Sequence, residues 1–113
     1  MPKVFITQIP KKMNLSTGEM FPIIDLEPAI EFGTLTVMFD WMPNLIETKN
    51  VLERVQQKLK SYNFKDGDSI ICTGDPMAFA FSCAYLGAKF GIFNYLKWNK
   101  SARKYKKVTV DVR

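Results

Sequence analysis

The sequence predicts a single small α/β domain covering residues 1–113, with about five strands in a mixed sheet and two main helices in the order β-β-α-β-α-β-β, packed as two or three layers. Three observations carry this. Short β-branched runs open and close the chain, two helical segments of different polarity lie between them, and a strand-turn-helix-strand succession runs from 69 to 98. A chain of 113 residues with 47% hydrophobic content suffices for one core, burying roughly 65% of its unfolded surface without covalent staples.

KVFITQI at 3–9 alternates in polarity and is rich in β-branched residues, so it reads as a strand, ended by Pro10. Residues 10–32 lack periodicity and are punctuated by Gly18, Pro22 and Pro28. They are expected as a long irregular connection with a helical turn around Pro28-Ala29-Ile30. GTLTVMF at 33–39 is a second strand, followed by a loop at Asp40-Trp41-Met42-Pro43-Asn44.

NVLERVQQKLKSY at 50–62 places Val51, Leu52, Val55, Leu59 and Tyr62 on one helical stripe, with Asn50 as N-cap and Glu53 as its capping-box partner. SIICT from Ser69 is an apolar run suited to a central strand. PMAFAFSCAYLGAKF is apolar nearly all round, which predicts a buried helix started by Pro76 and closed by Gly91. IFNYLKW at 92–98 and YKKVTVDV at 105–112 are the last two strands. The 69–98 unit requires parallel strands, and the final pair should form a hairpin.

Composition narrows the chemistry. The sequence has no histidine and its two cysteines, Cys72 and Cys83, are not spaced as a C-x-x-C pair. Ser-His and Cys-His nucleophile pairs therefore lack a base and a structural zinc lacks ligands. No cofactor or bound metal is expected. The cysteines are predicted to be small buried apolar residues rather than a disulfide. The apolar run Met77–Ala88 is twelve residues long, against roughly 20 for a bilayer span, so no membrane partner is expected. Met1-Pro2-Lys3 leads directly into a strand-like run without a secretory h-region, which predicts a cytoplasmic protein.

Asp25-x-x-x-Ala29-x-x-Phe32-Gly33, Thr73-Gly74-Asp75-Pro76 opening an apolar helix, and Leu96-Lys97-Trp98 with Tyr105 before an alternating strand together resemble a group of small uncharacterised accessory proteins of tailed bacteriophages. The segment before Asp25, with Lys11-Lys12 and Ser16-Thr17-Gly18, is longer than in that group. The resemblance implies a phage gene product acting in an infected bacterial cell, and it brings no activity and no catalytic residue.

Thr73, Gly74 and Asp75 are the ligand-binding candidates. Unpaired amides at a helix start attract phosphate, but Asp75 is placed to cap that helix itself and Pro76 removes one orphan donor. The P-loop and dinucleotide glycine patterns are absent. A self-satisfied cap is thus preferred to anion binding. Thr73 and Asp75 with Asp25 or Asp40 offer oxygen ligands for magnesium, although no spacing requires it.

The net charge of +5 is unevenly distributed: residues 1–96 carry nine Lys/Arg and ten Asp/Glu, while residues 97–113 carry seven and one. Lys97, Lys100, Arg103, Lys104, Lys106 and Lys107, interleaved with Trp98 and Tyr105, form a basic surface that suits nucleic acid or an acidic protein. Strand alternation should send Lys104 and Lys106 to one face and Tyr105 and Lys107 to the other. Trp41, Met42, Leu45 and Ile46 form a candidate apolar contact loop for a partner or a second copy. The expectation is a non-enzymatic accessory protein that binds a host or phage macromolecule, a protein before any other kind. Nucleotide binding at the Thr73–Pro76 turn and nucleic-acid binding through the hairpin are the alternatives, and homo-oligomerisation stays open.

Overall fold

A computed structural model describes residues 2–9, 11–22, 24–39, 48–74 and 76–113. The opening run forms β1 (Lys3–Gln8), followed by a short antiparallel ribbon of β2 (Lys11–Met13) and β3 (Met20–Pro22). A 3₁₀ helix at Glu27–Phe32 leads into β4 (Thr34–Phe39) and then α1 (Thr48–Ser61). The chain continues through β5 (Ser69–Ile71), α2 (Pro76–Phe90), β6 (Ile92–Asn99) and β7 (Lys104–Asp111).

Five strands make one mixed sheet in the spatial order β4-β1-β5-β6-β7. β1 pairs in parallel with β4 and β5, β5 pairs in parallel with β6, and β7 closes antiparallel to β6. The chain thus winds outward from β1 to β4, then reverses past β1 to β5 and β6. A single crossover hand requires the two directions to use opposite faces of the sheet. The burial pattern agrees. Phe5 and Ile70 pack with Val55, Leu59, Ala78 and Leu86 of the helices, while Val4, Ile6 and Ile71 pack on the other face with Ala29 of the 3₁₀ helix. Residues Val4 to Gln8 of β1 are all buried, the signature of a strand covered on both faces.

Several expectations need correction. Residues 10–32 are not irregular throughout, since they hold the β2-β3 ribbon as well as the 3₁₀ helix. Asn50 is not an N-cap, because α1 starts two residues earlier, at Thr48. Of the expected stripe, Val51, Val55 and Leu59 are buried, one ridge at i, i+4 and i+8, whereas Leu52 and Tyr62 are exposed. Helix α2 is not buried all round: Ala78, Ser82 and Leu86 face the core, and Ala80, Ala84 and Ala88 face solvent. Small side chains lose little by exposure. Gly91 ends this helix at φ +74, its N–H donating to the Gly87 carbonyl. Among the described residues no helix is long and apolar enough to cross a membrane.

Candidate functional site

In an open α/β sheet, ligands settle at the carboxyl ends of the strands, where the winding direction reverses. Here that point lies between β1 and β5, the strands whose outgoing connections diverge. Thr7 of β1 ties the two together. The Thr73 N–H donates to Thr7 Oγ1 at 2.9 Å, and the Thr7 hydroxyl donates to the Thr73 carbonyl at 2.5 Å. Gly74 follows at φ +85, pressed so close to β1 that an added Cβ would lie 2.6 Å from Gln8 Cβ and 2.9 Å from its carbonyl oxygen. Only glycine meets both the backbone angle and the space.

Beyond this point β6 and β7 overshoot the parallel strands. β5 is paired with β6 only as far as Ile70↔Tyr95, whereas the β6-β7 ladder runs on to Asn99↔Lys104. The projecting hairpin bounds a cleft of about 480 Å³ lined by Asp25, Cys72, Thr73, Lys97, Trp98 and Tyr105, among others. Tyr105 is buried, and its hydroxyl donates to the Asp25 backbone carbonyl at 2.7 Å. Trp98 meets its ring edge-on at 5.0 Å. Burial, and secondarily the negative charge of Asp25, push the Tyr105 phenol upward. The Asp25 carboxylate itself accepts the Glu27 N–H at 3.1 Å, in the turn that leads into the 3₁₀ helix.

The strand register divides the basic residues. Tyr95 and Val110 face the helices, so Lys97, Lys104 and Lys106 share that face of the hairpin. Leu96 and Tyr105 face the other way, with Lys107, whose ammonium lies 5.8 Å from the Phe32 ring centroid. Lys97 stands directly opposite Lys106 in the ladder. A second groove of about 480 Å³ runs along that face, lined by Tyr95, Lys97, Trp98, Lys100, Lys106 and Val108. Lys100 and Arg103 lie exposed in the turn, where Arg103 adopts φ +52.

Residues chosen from the sequence for different reasons therefore meet. Thr73, Asp25, Lys97, Trp98 and Tyr105 line one cleft, while Lys107 is separated from the other lysines by the plane of the sheet. Gly74 is a packing glycine. Asp75, Asp40 and the loop residues Trp41, Met42, Leu45 and Ile46 lie outside the described residues. Thr7 and Tyr95 went unremarked in the sequence. The available signal for Thr7 was a hydroxyl in an otherwise apolar central strand, which needs a buried partner. The cysteines are also not fully buried: both are partly buried against the helix-side core, with Sγ atoms 3.6 Å apart.

A family model described as Phage Pam3 gp32-like protein matches residues 2–112. No curated protein and no solved structure matches the chain.

Proposed function

The chain belongs to the Phage Pam3 gp32-like protein family, and from that premise we propose that it is a non-enzymatic accessory protein that binds a host or phage macromolecule during infection, an acidic protein segment held by the helix-side face of its hairpin. One observation carries this reading: Lys97 and Lys106 are direct cross-strand partners and share their face with Lys104. Like charges placed opposite one another on a strand pair destabilise it. Among the described residues none of the three makes an ion pair, the salt bridges being Lys3–Asp68 and Asp111–Arg113. An anionic partner relieves that repulsion and gains the full attraction of the cluster. Tyr95 and Val108 in the same groove supply apolar contact for a peptide.

A second reading rests on the cleft across the hairpin. The Thr73 hydroxyl, the Lys97 ammonium and the rings of Tyr95, Trp98 and Tyr105 around about 480 Å³ suit a nucleotide, with Trp98 offering a stacking surface.

One titration separates these readings. A fluorescent acidic peptide, a single-stranded oligonucleotide of matched charge and magnesium-ATP are each added to the wild type, Lys104→Glu/Lys106→Glu, Lys107→Glu and Trp98→Ala. The proposal expects the peptide to bind most tightly, weakening with salt, with a loss on the order of tenfold or more in the double variant and little change in Lys107→Glu. Preference for the oligonucleotide moves the partner to nucleic acid. Saturable ATP binding that survives the double reversal and disappears in Trp98→Ala favours the cleft. Peptide affinity unaffected by the double reversal overturns the proposal.

A further inference from the structure

Cys72 follows the last residue of β5, and Cys83 lies midway along α2. The two belong to different elements on either side of the Gly74 turn, yet their sulfur atoms approach to 3.6 Å, within hydrogen-bonding distance. Neither is sealed in the core: both are free thiols of intermediate exposure, and Cys72 also lines the hairpin cleft. Two cysteines serving only as apolar filler have no need to touch each other or to reach a cavity wall. Closing a bond between them requires their sulfurs to approach by roughly 1.5 Å, to the covalent separation of about 2.05 Å.

We propose that Cys72 and Cys83 form a redox-active dithiol, which closes to an intramolecular disulfide by exchange with a low-molecular-weight disulfide such as oxidised glutathione.

The thiols have different roles. Either sulfur can be the donor across this contact; with Cys72 donating, its S–H stabilises the Cys83 thiolate and lowers the Cys83 pKa, while the same bond, together with burial, raises that of Cys72. Cys83 is therefore the attacking thiolate. Its sulfur forms a bond to one sulfur of oxidised glutathione, the glutathione disulfide bond breaks, and one glutathione thiolate leaves and takes up the proton that Cys83 had released. Cys72 then loses its proton and attacks Sγ of Cys83. The Cys72–Cys83 bond forms, the mixed disulfide breaks, and the second glutathione leaves, carrying the proton from Cys72. The protein has lost two electrons and two protons, and one glutathione disulfide has become two thiols. The product ties the carboxyl end of β5 to α2 across the turn and fixes the cleft wall that carries Thr73.

The test equilibrates the folded full chain in buffers of increasing oxidised-to-reduced glutathione ratio and follows free thiols, intact mass and peptide maps. The expected product is monomeric, lighter by two hydrogen atoms, contains a Cys72–Cys83 peptide link and is reversed by dithiothreitol. Cys72→Ser should accumulate a glutathione adduct on Cys83, while Cys83→Ser should stay largely unmodified. Because either variant risks poor folding, brief iodoacetamide labelling of the reduced wild type gives an independent reading, and Cys83 should be alkylated first. The proposal is overturned if the folded chain retains both thiols in buffers that fully oxidise the denatured chain, if the bonds form between chains, or if Cys72 is alkylated first.

Discussion

The two ends of the parallel strands are built on opposite principles. At the amino end, the buried Asp68 carboxylate accepts the Lys3 N–H at 2.8 Å and the Lys65 N–H at 3.0 Å, and pairs with the Lys3 ammonium at 3.2 Å. This corner is closed by charge, with both carboxylate oxygens occupied. At the carboxyl end, neutral hydroxyls make the connections, Thr7 to Thr73 and Tyr105 to Asp25, around an open cleft. Coulombic attraction is strongest where water is excluded, which suits a permanent closure. A rim joined by neutral hydrogen bonds costs less to rearrange around a ligand or partner than a buried ion pair does. The comparison separates an amino end closed by a buried ion pair from a carboxyl end that carries the open cleft.

The sharpest way to break that division is Asp68→Ala. It leaves two backbone donors and the Lys3 ammonium without their partner, at a cost of about 3 kcal/mol, measurable as a lowered midpoint in denaturant unfolding. Binding by the hairpin, measured where the variant is still folded, should be unchanged. The exposed Asp111–Arg113 pair at 2.8 Å is the control. Solvent screens such pairs almost completely, so Asp111→Ala should leave the midpoint where it was.

A glycine from each end sharpens the comparison next. Gly67, in the turn before Asp68, and Gly74 have similar angles, φ +93 and φ +85. Around Gly67 nothing lies within 4 Å of an added Cβ, whereas at Gly74 the Cβ meets Gln8 at 2.6 Å. Gly67→Ala should cost about 1 kcal/mol, the left-handed strain alone. Gly74→Ala should cost about 3 kcal/mol, adding a collision with β1 to that strain. Equal losses in thermal unfolding would mean that the strand contact carries no weight.

Sequence reasoning reached the elements that bury something and missed those that do not. Val4, Phe5 and Ile6 are apolar because both faces of β1 are covered, and that shows in composition. Met13 and Met20 belong to strands of three residues, too short to show a period of two, and both are exposed. The boundary of the α1 stripe was illegible for a different reason. Leu52 and Val51 are neighbours in sequence, and only the way the helix sits against the sheet and α2 decides which of them is covered. Thr73, Lys97, Trp98 and Tyr105 could each be singled out from residue type, but not their convergence, which arises from a parallel pairing and from the extra length of the β6-β7 ladder. The Asp25–Tyr105 bond spans 80 positions, and no local pattern carries such a link.

The smallest expected effect is also the most specific to the open end. Tyr105 is the buried hydroxyl of the cleft, and its phenol is shifted upward from the ordinary value of 10.0 by burial and by Asp25. Its folded pKa therefore exceeds its unfolded pKa. Between those values the unfolded chain has released its proton and the folded chain has not, so the contribution is complete below about pH 10 and is lost as the pH rises through the folded value. Tyr105→Phe should cost about 1 kcal/mol at neutral pH through the lost hydrogen bond to Asp25. It should also flatten the alkaline limb of the stability curve relative to the wild type. Every other ionisable group is common to both proteins, so the difference between the two curves isolates the phenol. If the curves stay parallel above pH 10, the hydroxyl is not what holds the 3₁₀ segment against the hairpin, and the cleft owes its shape to the packing of the Tyr105 ring against Trp98 instead.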